Sequence, residues 1–120
     1  MERRTDFNNS PKREGFPVMN QIASTPKPHY YAVIFTSILH EGASDYAEVA
    51  NYALSLAKEQ PGFLGYEGVR NGMGISVSYW ESLEAIRAWK EHPDHVRLQK
   101  QEARWFRESK IRICRVERDC

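Results

Sequence analysis

The sequence predicts an α+β domain with elements in the order β-α-β-β-α-β, and three observations carry that prediction. The run Tyr30–Leu39 is rich in β-branched and aromatic residues and apolar on both alternating faces, as a strand covered on both sides must be. Apolar stripes at helical spacing follow over 46–57 and 83–89. Between them, two short alternating segments flank Asn71-Gly72, a dipeptide suited to a hairpin turn.

Taken in order, residues 1–28 hold Asn8, Asn9, Ser10, Pro11, Gly15, Pro17, Pro26 and Pro28 with no apolar period, which reads as a polar, flexible N-terminal tail. The folded domain is expected over 29–120. Its first strand is "YYAVIFTSIL". Ser44 then fits an N-cap, with Asp45 and Glu48 in the first helical turn. Tyr46, Val49, Ala50, Ala53, Leu54 and Ala57 form one apolar stripe that stops before Pro61-Gly62. "GFLGYEGVR" and "GISVSYW" make the hairpin. In the second of these, Ile75, Val77 and Tyr79 share one face, and Ser76, Ser78 and Trp80 the other.

Ser82 fits the cap of a second helix that points Leu83, Ile86 and Trp89 one way. Pro93 interrupts it. Because proline suits the first position of a helix, a new segment is expected from Pro93 to about Arg107. "KIRICRVER" supplies the closing strand. This order is the split βαβ arrangement of ferredoxin-like domains, an antiparallel sheet with helices on one face. Strands apolar on both sides leave the other face in need of cover. A second copy of the chain is the simplest cover, so the expectation is a symmetric homodimer whose two sheets close into a dimeric α+β barrel.

A length of 120 residues fits one domain, and 41% apolar with 28% charged residues fits a soluble globular protein. The formal net charge of +1 predicts neither a nucleic-acid partner nor an anionic membrane surface. No apolar run approaches a membrane span, and "MERRTDFNNSPKREGF" lacks the apolar stretch of a secretory signal, so a cytoplasmic location is expected. Cys114 and Cys120 are then expected as two reduced thiols.

The stretch "AWKEHPDHVRLQ" places His92 and His95 three residues apart. As a metal motif the pair lacks a third ligand: Glu91 and Asp94 do not share a helix face with it, and His29 and His40 lie elsewhere. No metal is predicted. As a general base a neutral imidazole fits better, since it can take a proton from a phenol as the phenol is oxidised. His95, near the start of the new segment, is the first candidate and His92 the second; a solvent-facing position is the alternative for both. Trp89 fits core packing or a cavity wall. Tyr66 and Tyr79 fit hydrogen-bond donors to a substrate oxygen, or tyrosines satisfied within the fold. Gly65, Gly68, Ser76 and Ser78 leave room over the sheet or relieve crowding in it. The basic series Lys90, Arg97, Lys100, Arg104 and Arg107 reads as a solvated face.

"PGFLGYEGVR" with its Gly-rich turn, "ISVSYWESLEAIRAWKEHPDHVRLQ" and the closing "RVER" resemble the antibiotic biosynthesis monooxygenase family over residues 30–118. The resemblance implies the dimeric barrel of ferredoxin-like subunits. It further implies a cofactor-independent monooxygenase that oxidises a small aromatic or phenolic compound with O2. Two alternatives come with it: a haem-binding or haem-degrading protein, and a non-catalytic dimer that binds a small hydrophobic ligand. Haem-degrading members use a first-strand asparagine, a second-helix tryptophan and a histidine about ten residues after it. Trp89, nine residues after Trp80, matches the tryptophan, but Thr36 and Ser37 stand near the asparagine position and Gln99 at the histidine, to which only a gap would bring His95 nearer. Under this resemblance the site is expected from Trp89 as cavity wall, His95 or His92 as base, and Tyr66 or Tyr79 as donor.

Overall fold

The computed structural model describes residues 21–120. The strands are β1 (Tyr30–Leu39), β2 (Phe63–Asn71), β3 (Met73–Trp80) and β4 (Phe106–Val116). The helices are α1 (Tyr46–Ala57), α2 (Leu83–Glu91), α3 (Pro93–Gln99) and the short α4 (Glu102–Trp105). The four strands form one antiparallel sheet in the order β2-β3-β1-β4, the ferredoxin-like α+β arrangement expected from the pattern. Among the described residues no helix is long and apolar enough to cross a membrane.

The registers decide which residues share a face. β1 pairs with β3 so that Val33 faces Ser78 and Ala32 faces Tyr79, and β2 pairs with β3 so that Tyr66 faces Ser78. Tyr31, Val33, Phe35, Tyr66, Ser76, Ser78 and Trp80 therefore lie toward the helices, while Ala32, Ile34, Val77 and Tyr79 lie on the other side. Under the helices a core of Ala57, Trp80, Ile86 and Trp89 packs against Tyr31, Val33, Leu56, Phe63 and Ala85. Trp80 is the most buried large side chain, with its ring edge-on to Phe63 at 5.4 Å and its indole N–H donated to Ser78 Oγ. Gly62 makes the close approach that joins this layer. Its φ is 87°, and a Cβ there would stand 2.6 Å from Ala85 Cβ, so a side chain would force the start of β2 away from α2.

Local detail departs from expectation in three places. The N-cap of α1 is Asp45 rather than Ser44, and it makes no side-chain capping bond. Ser82 does cap α2, accepting from Ala85 N at 3.0 Å. Leu83 does not join Ile86 and Trp89 in the core but is exposed. Steps of three residues fall roughly 60° short of a full turn, so two of them carry Leu83 out from under the sheet. Finally, the helical region after Pro93 ends at Trp105, and the closing strand starts at Phe106 instead of Lys110. Residues 107–110 read as polar because β4 is an edge strand, exposed there on both sides. What holds them in the strand is the full length of β1, which offers partners from Tyr30↔Val116 to Leu39↔Phe106.

The expected tail, 1–28, lies largely outside the described residues. Residues 21–28 form no helix or strand, yet they are tied to the sheet. Ala23 N donates to Glu67 Oε1 at 2.7 Å, and the Thr25 hydroxyl is 2.9 Å from that of Tyr30. Cys114 and Cys120 are free and exposed.

Candidate functional site

Pro93 creates the site's geometry. It forces the chain out of α2 at His92, whose backbone is extended (φ −62°, ψ 135°), and restarts the helix as its first residue. His92 becomes the N-cap of α3, with Nδ1 accepting from Asp94 N at 3.1 Å. That ring is occupied by structural work, with Asp94 in turn paired to Arg97. His95, one turn on, is different. Its ring lies nearly flat on Trp89, with centroids 4.6 Å apart and planes 21° apart. Its Nδ1 is buried and makes no hydrogen bond of good geometry among the described residues, although the backbone of Lys90 and Trp89 lies beside the ring. Burial holds the imidazole below its ordinary pKa, aided by the neighbouring Lys90 and His92 and opposed by the backbone of Lys90 and Trp89. The ring is thus neutral near pH 7.

Trp89 and His95 are both part of the wall of a cavity of about 210 Å³ between the sheet and the helices. The sheet provides its floor through Val33, Phe35, Tyr66, Ser76 and Ser78, and α1 lines it with Val49, Ala50, Ala53 and Leu54. Ser76, Ser78, Ala50 and Ala53 are small where larger residues would fill the space. An apolar cavity of about 150 Å³ holds a benzene ring, so this one takes an aromatic molecule of one or two rings.

Two further groups complete the polar side of the wall, and sequence reasoning missed both. Glu102 faces the cavity, and burial pushes its carboxyl up, with Lys90 opposing. Trp105 also lines it, and its indole N–H is buried without an acceptor among the described residues. A signal was present: His95, Gln99, Glu102 and Trp105 recur in steps of four, three and three, the spacing of one helical face. The basic residues between them drew attention to the opposite, solvated face.

Of the expected site residues, the structure brings together Trp89, His95 and Tyr66. Tyr66 is buried enough for its phenol to be pushed up in pKa, with the Ser76 hydroxyl opposing. Tyr79 does not join them. It lies on the opposite face of the sheet, donates to Glu67 Oε2 at 2.7 Å and meets Tyr30 edge-on. Burial and this carboxylate both push its phenol up. His92 is likewise absent from the cavity wall. Gly65 also faces away, against Ala23.

The residues do not fit the haem-degrading set. Gln99 lines the cavity, but an amide is not a haem-iron ligand, and Ser37 is engaged with Arg70. Among the described residues no three His, Cys, Asp or Glu side chains converge on a point that would hold a metal ion.

Comparison with known proteins places this geometry. Residues 29–101 match the family model described as antibiotic biosynthesis monooxygenase. The uncharacterized protein YqjZ of Bacillus subtilis (strain 168) is 43% identical over 104 residues, which cover 84% of this chain and 91% of that protein. Among solved structures, SnoaB, a cofactor-independent oxygenase from Streptomyces nogalater, superposes with a TM-score of 0.68 at 13% identity, over 78% of this chain and 97% of that one. Rv0793 from Mycobacterium tuberculosis gives 0.65 at 13% identity, over 76% and 95%. At such identities the two structures share the fold with this chain.

Proposed function

Since the chain belongs to the antibiotic biosynthesis monooxygenase family, we propose that it is a cofactor-independent oxygenase that oxidises a small aromatic or phenolic compound with O2. The observation that carries this reading is His95, held below its ordinary pKa by burial and stacked on Trp89 among the residues that line an apolar cavity. The description of SnoaB as a cofactor-independent oxygenase supports it from outside this molecule.

The chemistry asks little of the protein beyond what the cavity holds. His95 accepts a proton from the phenol or from an acidic methylene beside it, leaving an electron-rich anion that reacts with O2. At such a methylene the net change converts CH2 and O2 to C=O and H2O. Two C–H bonds and the O–O bond break; one oxygen atom enters the carbonyl, the other leaves as water, and carbon supplies the four electrons. The Trp105 N–H donates to the oxygen on which negative charge collects, and the apolar walls keep water from competing. Trp89 holds the plane of His95, and Tyr66 supplies a second hydroxyl on the floor.

A second copy of the chain covers the sheet's other face in this reading. Val69, Met73 and Ile75 are exposed on the far face of β2 and β3, and helices cover only the other side. Pairing sheets would bury them and close the barrel. Sedimentation should give a mass of two chains; a monomer at micromolar concentration rejects the barrel.

Oxygen uptake with a panel of one- and two-ring phenols tests the activity. Uptake above the uncatalysed rate for at least one of them is expected; none across the panel rejects the oxygenase. Titration with haem should produce no Soret shift, and a saturable shift would favour a haem-binding role instead.

A further inference from the structure

Beside the main cavity lies a second, much smaller compartment of about 40 Å³, and the two share the side chains of Phe35, Tyr46, Ala50, Tyr66 and Ser76. Its far side is built around Arg70. The guanidinium donates to Ser37 Oγ at 2.5 Å and to the Ser37 carbonyl at 3.3 Å. Ser37 is itself 1% exposed, so this anchor cannot swing away. The guanidinium also stands over the Tyr46 ring, 5.3 Å from its centroid. It packs so closely on Gly74 that any Cβ there would collide with it. Arg70 is therefore held in one orientation by three separate elements.

This cation has no counter-charge among the described residues. Among the described residues no carboxylate lies within ion-pair distance of Arg70; the hydroxyl and carbonyl of Ser37 accept from it, and the Tyr46 hydroxyl lies beside it, where Arg70 opposes the rise in that phenol's pKa. A half-buried guanidinium with unused N–H groups is stabilised by an anion, and its planar fork suits a carboxylate. Size narrows the choice. One water occupies roughly 30 Å³ of the liquid, so the compartment has room for one carboxylate and none for a ring.

We propose that this compartment is an anion subsite, in which Arg70 receives a carboxylate carried by the aromatic substrate whose ring occupies the main cavity. The inference rests on the cavity being a substrate site. It narrows the substrate class to aromatic acids, and it makes Arg70 the residue that sets the ring's orientation before His95.

Binding, measured by calorimetry at neutral pH without turnover, tests the subsite apart from the reaction. Naphthoate should bind about tenfold or more tightly than neutral naphthylmethanol, the scale of one charge-assisted pair. Arg70→Met should abolish that preference and leave the affinity for naphthylmethanol unchanged. Ser37→Ala, which keeps the charge but frees the guanidinium, should narrow it, and decides the matter if Arg70→Met does not fold. Equal affinities in the wild-type protein, or a preference that survives Arg70→Met, overturn the subsite while leaving the aromatic cavity in place. Binding of neither compound rejects the cavity reading, and the subsite with it.

Discussion

The two faces of the sheet are built from the same strands, yet not all of the polar groups against them are treated alike. On the face away from the helices, hydroxyls are paired off. Tyr79 donates to Glu67, Glu67 also accepts from Ala23, and Tyr30 donates to Asp119 at 2.5 Å with Thr25 alongside. Under the helices, His95 Nδ1 and Trp105 Nε1 are buried and make no hydrogen bond of good geometry among the described residues. A folded protein leaves few buried polar atoms unpaired, because each costs on the order of 1–3 kcal/mol. Groups paired within the chain hold the fold together. In the proposed reading, the groups left unpaired beside the apolar cavity are the ones a ligand completes.

The comparison is broken most directly at His95. If the unpaired side is the working side, His95→Ala should lower the oxygenation rate by about 100-fold or more, the scale of a general base. The stacking partner matters too, so His95→Phe, which preserves the ring on Trp89, should lose as much. Tyr79→Phe serves as the control from the opposite face and should leave the rate within a factor of about two. Oxygen uptake under saturating substrate reads all three, and an equal loss in Tyr79→Phe would erase the distinction between the faces.

Trp105→Phe removes a donor while keeping the ring, and a smaller effect is expected from it than from loss of the base. A drop of about tenfold or more in kcat with KM little changed would mark a group that acts on developing charge. A change in KM alone would reassign Trp105 to the cavity wall.

These contrasts also show where the sequence was legible. The alternation in β1 and β3, the Asn71-Gly72 turn, the Ser82 cap and the Pro93 break are local signals, and each is found where local chemistry puts it. Position on the hairpin strands is all that groups Tyr79 with Tyr66 in the sequence. A turn centred on Gly72 pairs Asn71 with Met73, and that register alone places Tyr66 opposite Ser78 and Tyr79 opposite Gly65, on different faces. The signal was available in the hairpin. Glu102 and Trp105 were harder to see, because their contact with the cavity depends on how α3 and α4 pack across the sheet. Arg70 is harder still: Gly74 is its partner across the hairpin, but Ser37 and Tyr46 come from elements distant in sequence.

The pH dependence of stability sharpens the same contrast with smaller effects. His95 has a folded pKa below its usual 6.5, so on acidification the unfolded chain takes up its proton first. Its contribution is full above about pH 6.5 and is lost as the pH falls from there through the lower folded value. Glu102 has the opposite sign. Its folded pKa is raised from 4.5, so the folded chain binds the proton more tightly and stability declines as pH rises through that window. Denaturant melts at pH 7 and pH 5.5 should therefore show His95→Phe losing less stability on acidification than the wild-type chain, and Glu102→Gln losing more.

The smallest effect belongs to the paired side. Tyr79→Phe leaves Glu67 with Ala23 N as its remaining partner among the bonds seen here and should cost about 1–2 kcal/mol in denaturant melts. Tyr66→Phe, on the same hairpin but under the helices, should cost less in stability and more in ligand affinity. Were the two substitutions to exchange these signatures, with Tyr66 carrying stability and Tyr79 carrying affinity, the working face would be the one turned away from the helices. His95 would then be an unpaired group without a task.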